Sequence, residues 1–242
     1  LAFTVTNLGT GSSTTGATAV ITIGAAAPLK TVIVVASNEL NTGGVIGGSI
    51  TDTGGNTYTA INGVLLNNAA ANGFVRLWRA FVTTALISTN TITYTKQTTA
   101  VATVVSAFVV QGTTGLVETS ATNFGTGTAV SLTPANAHGN SLAFAFVGYG
   151  NAGTYTQSAN YATPFTAITV STTRGLGGGN ATPTTTAPPT FAPTLGTTGV
   201  WGAVSAGLLP SLPIAPGGDA GDSAIPPTII SRMNKVVAYR VR

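Results

Sequence analysis

The chain has 242 residues, of which 43% are apolar and only 6% charged, with a formal net charge of +4. Typical soluble domains carry about 25% charged residues, but disorder goes with high charge and few apolar residues and a membrane helix needs about 20 consecutive apolar ones, so neither explains the deficit. One domain with a sizeable core fits the length, and a chain without cysteine has no disulfides, thiolate metal sites or cysteine nucleophiles.

The first residues, LAFTVTNLGT, lack a charged leader region and a long apolar run, so no signal peptide is expected there. Period-2 runs bounded by Gly, Asn and Thr clusters then recur about every 8–12 residues, the spacing of a sandwich or barrel. They predict strands near 2–6, 17–23, 30–37, 45–51, 56–61, 73–82, 90–95, 100–110, 127–132, 140–148, 162–170 and 198–207. No amphipathic helix competes, since NTITYT and TAVSLT alternate rather than repeat at helical spacing.

Between the fourth and fifth strands, TDTGGNTYTA sets an Asp, two glycines and an Asn before an aromatic. Gly54 and Gly55 permit positive φ and Asp52 can accept from backbone N–H groups two residues on, which predicts a tight corner. A calcium loop needs more oxygen ligands than one carboxylate and one amide. In GFVRLWRAFV both phases carry large residues: Val75, Leu77 and Phe81 on one, Phe74, Trp78 and Val82 on the other. Such a strand is either central and covered twice or buried by a partner.

His138, the only histidine, sits in the Pro, Asn and Gly-rich PANAHGN and is read as a loop residue rather than a base. Residues 171–197 are expected to form a Gly, Thr and Pro-rich loop; GLGGGN after Arg174 opens no helix and so is no phosphate loop. Glycosidase chemistry needs two carboxylates about 5–10 Å apart, and Glu39, Asp52 and Glu118 are the only acids before residue 211. Nothing in the sequence pairs them. No catalytic residue, cofactor site or metal site is therefore predicted.

The chain from 1 to 231 holds five basic and five acidic side chains, so the whole excess of charge lies in Arg232, Lys235, Arg240 and Arg242. Residues 211–242 begin as a Pro and Gly-rich linker, in which Asp219 and Asp222 read as linker acids, and end in IISRMNKVVAYRVR. That last stretch alternates, with Val236, Ala238, Arg240 and Arg242 on one phase and Lys235, Val237, Tyr239 and Val241 on the other. It suits a strand added to an exposed sheet edge, or one folded back on its own sheet. The body has few lysines to protect its edges, so cover by its own segments or by neighbouring copies is expected. The candidate assembly arm comprises Arg232, Lys235, Val237, Tyr239, Arg240, Val241 and Arg242.

The order of features over residues 1–210 resembles a β-sandwich domain of tailed-phage virion proteins and bacterial proteins of phage origin. The resemblance rests on ATAVITIG and KTVIVVAS, the TDTGGNTYT corner, RLWRAFV, NTITYT, AVATVVSAFVVQG, NSLAFAFV and the closing GVWGAVSAGLLP. It implies an all-β fold, an antiparallel, jelly-roll-like sandwich, here with an extended C-terminal arm. It also implies a non-enzymatic capsid-decoration or tail-surface subunit on the virion surface, with copies of itself and other virion proteins as partners. Neither a membrane nor direct nucleic-acid contact is expected, because four basic residues among Val and Tyr make a small footprint. The alternatives are a subunit of an extracellular filament and a carbohydrate-binding adhesin, whose Trp78, Tyr149, Tyr155, Tyr161 and Trp201 would stack on a surface glycan.

Overall fold

The computed structural model describes residues 3–40, 44–66, 73–98, 101–134, 141–150, 153–162, 168–170, 174–181 and 188–211. The chain divides between Ser211 and Leu212, and the second unit, with the whole candidate arm, lies outside the described residues. The strands are β1 (Thr4–Ser13), β2 (Thr18–Thr22), β3 (Val32–Glu39), β4 (Ser49–Asp52), β5 (Tyr58–Leu65), β6 (Phe74–Phe81) and β7 (Thr91–Thr95), followed by β8 (Thr103–Gln111), β9 (Thr113–Ala129), β10 (Leu142–Tyr149), β11 (Tyr155–Thr156), β12 (Ile168–Val170), β13 (Arg174–Ala181) and β14 (Thr194–Pro210).

They form an all-β sandwich with an added layer. A five-stranded sheet of order β1-β8-β3-β6-β5 lies between a three-stranded sheet, β2-β7-β4, and a larger sheet, β11-β14-β10-β13-β12, in which β9 also pairs with β14. All described strand pairs are antiparallel. The two faces of the middle sheet explain its sequences. On β3, Val32, Val34 and Ala36 meet Phe144, Phe146 and Val204 of the large sheet. Ile33 and Val35, one residue out of phase, meet Ile21, Ile92 and Tyr94 of the small one. A strand buried on both faces reads as a continuous apolar run. Through Trp78, β6 is the same case: Val75 and Leu77 face one core and Trp78 the other, so both apolar phases are covered there by the chain's own sheets, while Phe81 at the strand's end is exposed.

Each core has an aromatic centre. Phe108 lies 6.3 and 5.5 Å from Phe144 and Phe146 between the two large sheets, and Trp78 meets Tyr94 edge-on at 5.5 Å in the other layer. A third core covers the outer face of the large sheet, where Tyr161 and Phe191 pack edge-on at 5.0 Å near Trp201 and Tyr149. Two asparagines clip the large sheets together. Asn38 on β3 donates to the carbonyls of Tyr149 (3.1 Å) and Gly175 (2.7 Å), and Asn62 on β5 to those of Ala121 (3.1 Å) and Ser205 (2.8 Å).

The expected loop over 171–197 is corrected. Arg174–Ala181 is β13, a strand paired on both sides by β10 and β12, and β14 already begins at Thr194. Glycine here serves close packing rather than a turn. A Cβ on Gly177 would lie 2.4 Å from the Tyr155 ring, and one on Gly178 the same distance from the Phe146 ring. The strand expected near 127–132 is likewise the end of a much longer one, since β9 starts at Thr113.

Candidate functional site

The corner at Asp52 is built from donors. Oδ1 accepts the N–H groups of Gly54 (2.9 Å) and Asn56 (3.0 Å), while Oδ2 accepts Asn56 Nδ2 (3.0 Å) and the Tyr58 hydroxyl (2.9 Å). Gly55 takes φ 74° to close the turn. Asn56 extends the network: its Oδ1 accepts from the backbone of Thr83 and Thr84, both at 2.9 Å, so the corner also fixes the connection after β6. A carboxylate with four donors offers a cation little, and this one acts as a structural acceptor. Burial, reinforced by the Asp52 charge and hydrogen bond, pushes the Tyr58 phenol well above the usual tyrosine range.

Glu39 is also an acceptor, fully buried at the end of β3. It takes the Tyr94 hydroxyl at 2.5 Å and the backbone N–H groups of Gln97 (3.1 Å) and Thr98 (2.9 Å). Nearby, Lys96 Nζ donates to Val101 O (2.6 Å), Ser13 Oγ (3.0 Å) and Thr15 O (3.4 Å). Burial lowers the lysine's pKa and the Glu39 charge opposes that fall. Glu118 accepts from the Ser141 hydroxyl. Each of the three acids before residue 211 thus serves a donor from the protein itself.

The aromatics expected to stack on a glycan are core residues. Trp78, Tyr149, Tyr161 and Trp201 are all buried and Tyr155 is half-buried. Burial pushes Tyr149 up to about 12 and raises Tyr155 and Tyr161 as well. His138, Asp219, Asp222 and the arm residues Arg232 to Arg242 lie outside the described residues.

What the fold leaves open is an edge. β9 is 17 residues long, about 55 Å at about 3.3 Å per residue, and among the described residues it pairs on one side only, with β14. The other outer strands are blunted. β1 carries a bulge between Asn7 and Gly9, β5 carries one between Ala60 and Asn62 and is clipped by Asn62, and β2, β4, β11 and β12 have five, four, two and three residues. On β9 the irregularities fall outside residues 120–127, which run in unbroken register against β14 from Ala206 back to Gly199. That stretch, SATNFGTG, has no charge and no proline. Thr122, Asn123, Phe124 and Thr126 are exposed. Sequence reasoning missed this surface because a polar, glycine-containing strand open to solvent shows no apolar alternation.

No protein-family model, no curated protein and no solved structure matches the chain.

Proposed function

We propose that this protein is a non-enzymatic structural subunit of a virion surface, a capsid-decoration or tail-surface protein that assembles through its sheet edges. The observation that carries this reading is the charge-free β9 edge at 120–127, which keeps unbroken register with β14 and on which the Phe124 N–H and the Ala121 carbonyl are met by Asn123 and Asn62 side chains. Unpaired edges of that kind template pairing with another chain, and proteins that stay monomeric guard them with Lys, Pro or bulges. The occupant is the segment 232–242 of a neighbouring copy, whose alternating apolar and basic residues supply a strand. The non-enzymatic part rests on the three acids among the described residues, each of which accepts from one of the protein's own donors.

The test is truncation after Ser211. That boundary keeps β14 whole and retains the bond from the Ser211 N–H to the Gly112 carbonyl at 2.9 Å. The shortened chain should unfold cooperatively as a β protein and sediment as a monomer, whereas the full chain assembles. A shortened chain that assembles as well as the full one would overturn the donated strand.

A further inference from the structure

At one end of the sandwich no described residue covers the face of the middle sheet that carries Val75 and Leu77. Arg79 and Phe81 share the strand phase of Val75 and Leu77, which lie in the core, yet Phe81 is 43% exposed and Arg79 half-exposed. Together with Thr57, Thr59 and Thr83 they line an open groove of about 260 Å³. Thr59 lies directly across from Arg79 in the β5–β6 pairing. The chain enters β9 over this point at Gly115, φ 75°, and a Cβ there would sit 2.9 Å from Val32 and 3.4 Å from the Phe81 ring. Arg79 Nη1 donates to the Gly115 carbonyl, which fixes the guanidinium at the groove. Among the described residues no carboxylate is paired with it. A guanidinium has five N–H donors in a planar fork, so most of its capacity is left for a ligand.

We propose that this groove binds one acidic sugar unit, a pyranose carrying a carboxylate, at the surface of a longer glycan. The guanidinium fork takes the carboxylate in two parallel hydrogen bonds. Hydroxyls of Thr57 and Thr59 both donate and accept, as sugar hydroxyls require, and the Thr83 hydroxyl, which donates to Asn56 Oδ1 at 3.2 Å, still accepts. The exposed Phe81 ring gives the apolar C–H face of the sugar a surface to cover. A bare anion would leave that ring unused, and a neutral sugar would leave the guanidinium without its partner. The volume is below the roughly 300–1,000 Å³ of pockets that enclose drug-sized ligands, which matches one ring and not a buried chain. This site is independent of the β9 edge and differs from the buried aromatics named from the sequence.

The test is a resonance-shift titration of the isotope-labelled full chain with methyl glucuronide, methyl glucoside and sodium acetate. Methyl glucuronide should give saturable shifts centred on Thr57, Thr59, Arg79 and Phe81, with affinity at least about tenfold above that for the other two, a difference of about 1.4 kcal/mol. Phe81→Ala and Thr59→Val, which leave the Arg79 to Gly115 bond in place, should each weaken glucuronide binding. Arg79→Gln should abolish its preference over the glucoside. Equal binding of acetate would make the groove a plain anion site, equal binding of the glucoside would make the guanidinium irrelevant, and no saturable shift would mean no site; each result overturns the proposal. If Arg79→Gln does not fold, Phe81→Ala and the ligand comparison decide.

Discussion

Tyr149 on β10 lies directly across from Gly175 on β13, and a Cβ added to that glycine would sit 2.1 Å from Cζ of the tyrosine ring. The glycine is what lets the ring lie flat against the neighbouring strand. Gly175→Ala should destabilise the fold by about 1–3 kcal/mol, the usual cost of overpacking a filled core. In a Tyr149→Leu background the same change should cost less than half as much, because the atoms it strikes are gone. Urea unfolding of the four proteins measures this, and equal costs in both backgrounds would show that the ring is not what the glycine serves.

That pair also explains what was legible in the sequence. β3, β8 and β10 announce themselves as apolar runs because each is buried on both faces. β13 does not, since RGLGGGNA is intelligible only beside Tyr149, Phe146 and Tyr155, and nothing local shows which rings will lie on it. The strands of the small sheet could be marked one by one, but its separation from the middle sheet depends on pairings across distant residues, such as Ser49 with Thr95. At the corner, the ligand count around Asp52 was local and could be read directly. The β9 edge and the Arg79 groove could not, because both are defined by what fails to cover them among the described residues.

The Asp52 corner should behave as a clasp. Asp52→Ala removes a charged acceptor from four donors and should lower stability by about 1.5–3 kcal/mol. Tyr58→Phe removes one of those donors and should cost about 1 kcal/mol. Denaturant midpoints give both values. A loss in Asp52→Ala no larger than in Tyr58→Phe would mean that the backbone donors contribute nothing.

Alkali should unfold the protein. Tyr58, Tyr94, Tyr149, Tyr155 and Tyr161 are all raised above the ordinary value of 10.0, mainly by burial. Below that pH both states keep these protons. Above it the unfolded chain releases them while the folded chain holds them, so the unfolded state binds fewer protons and stability falls as pH rises. Lys96 and Arg174, the latter down to about 10, act the other way, because burial lowers both and the folded state sheds their protons first. Five phenols outweigh two cations. The tyrosinate absorbance of these five rings, read in a Tyr239→Phe background, should therefore appear together with loss of the sheet signal once pH passes about 10. Gradual ionisation with the sheet intact would contradict the burial of these rings.

The β9 edge makes the sharpest demand on the assembly reading. Thr122 and Thr126 are exposed, four residues apart on one face of a strand whose side chains alternate, and both lie in the regular stretch that pairs with β14. Lysine at these positions adds charge where an incoming strand would bring its own basic residues, without touching the core or the bonds to β14. The variant Thr122→Lys with Thr126→Lys should keep the thermal midpoint of the parent to within a few degrees, as surface changes of about 0.5 kcal/mol or less do. Its assembly, followed by sedimentation, should be strongly reduced and should recover in part at high salt, where the added repulsion is screened. A bulge or core defect would give no such recovery. If the variant assembles like the parent at every salt concentration, the partner strand does not bind at 120–127 and the β9 edge is not the interface.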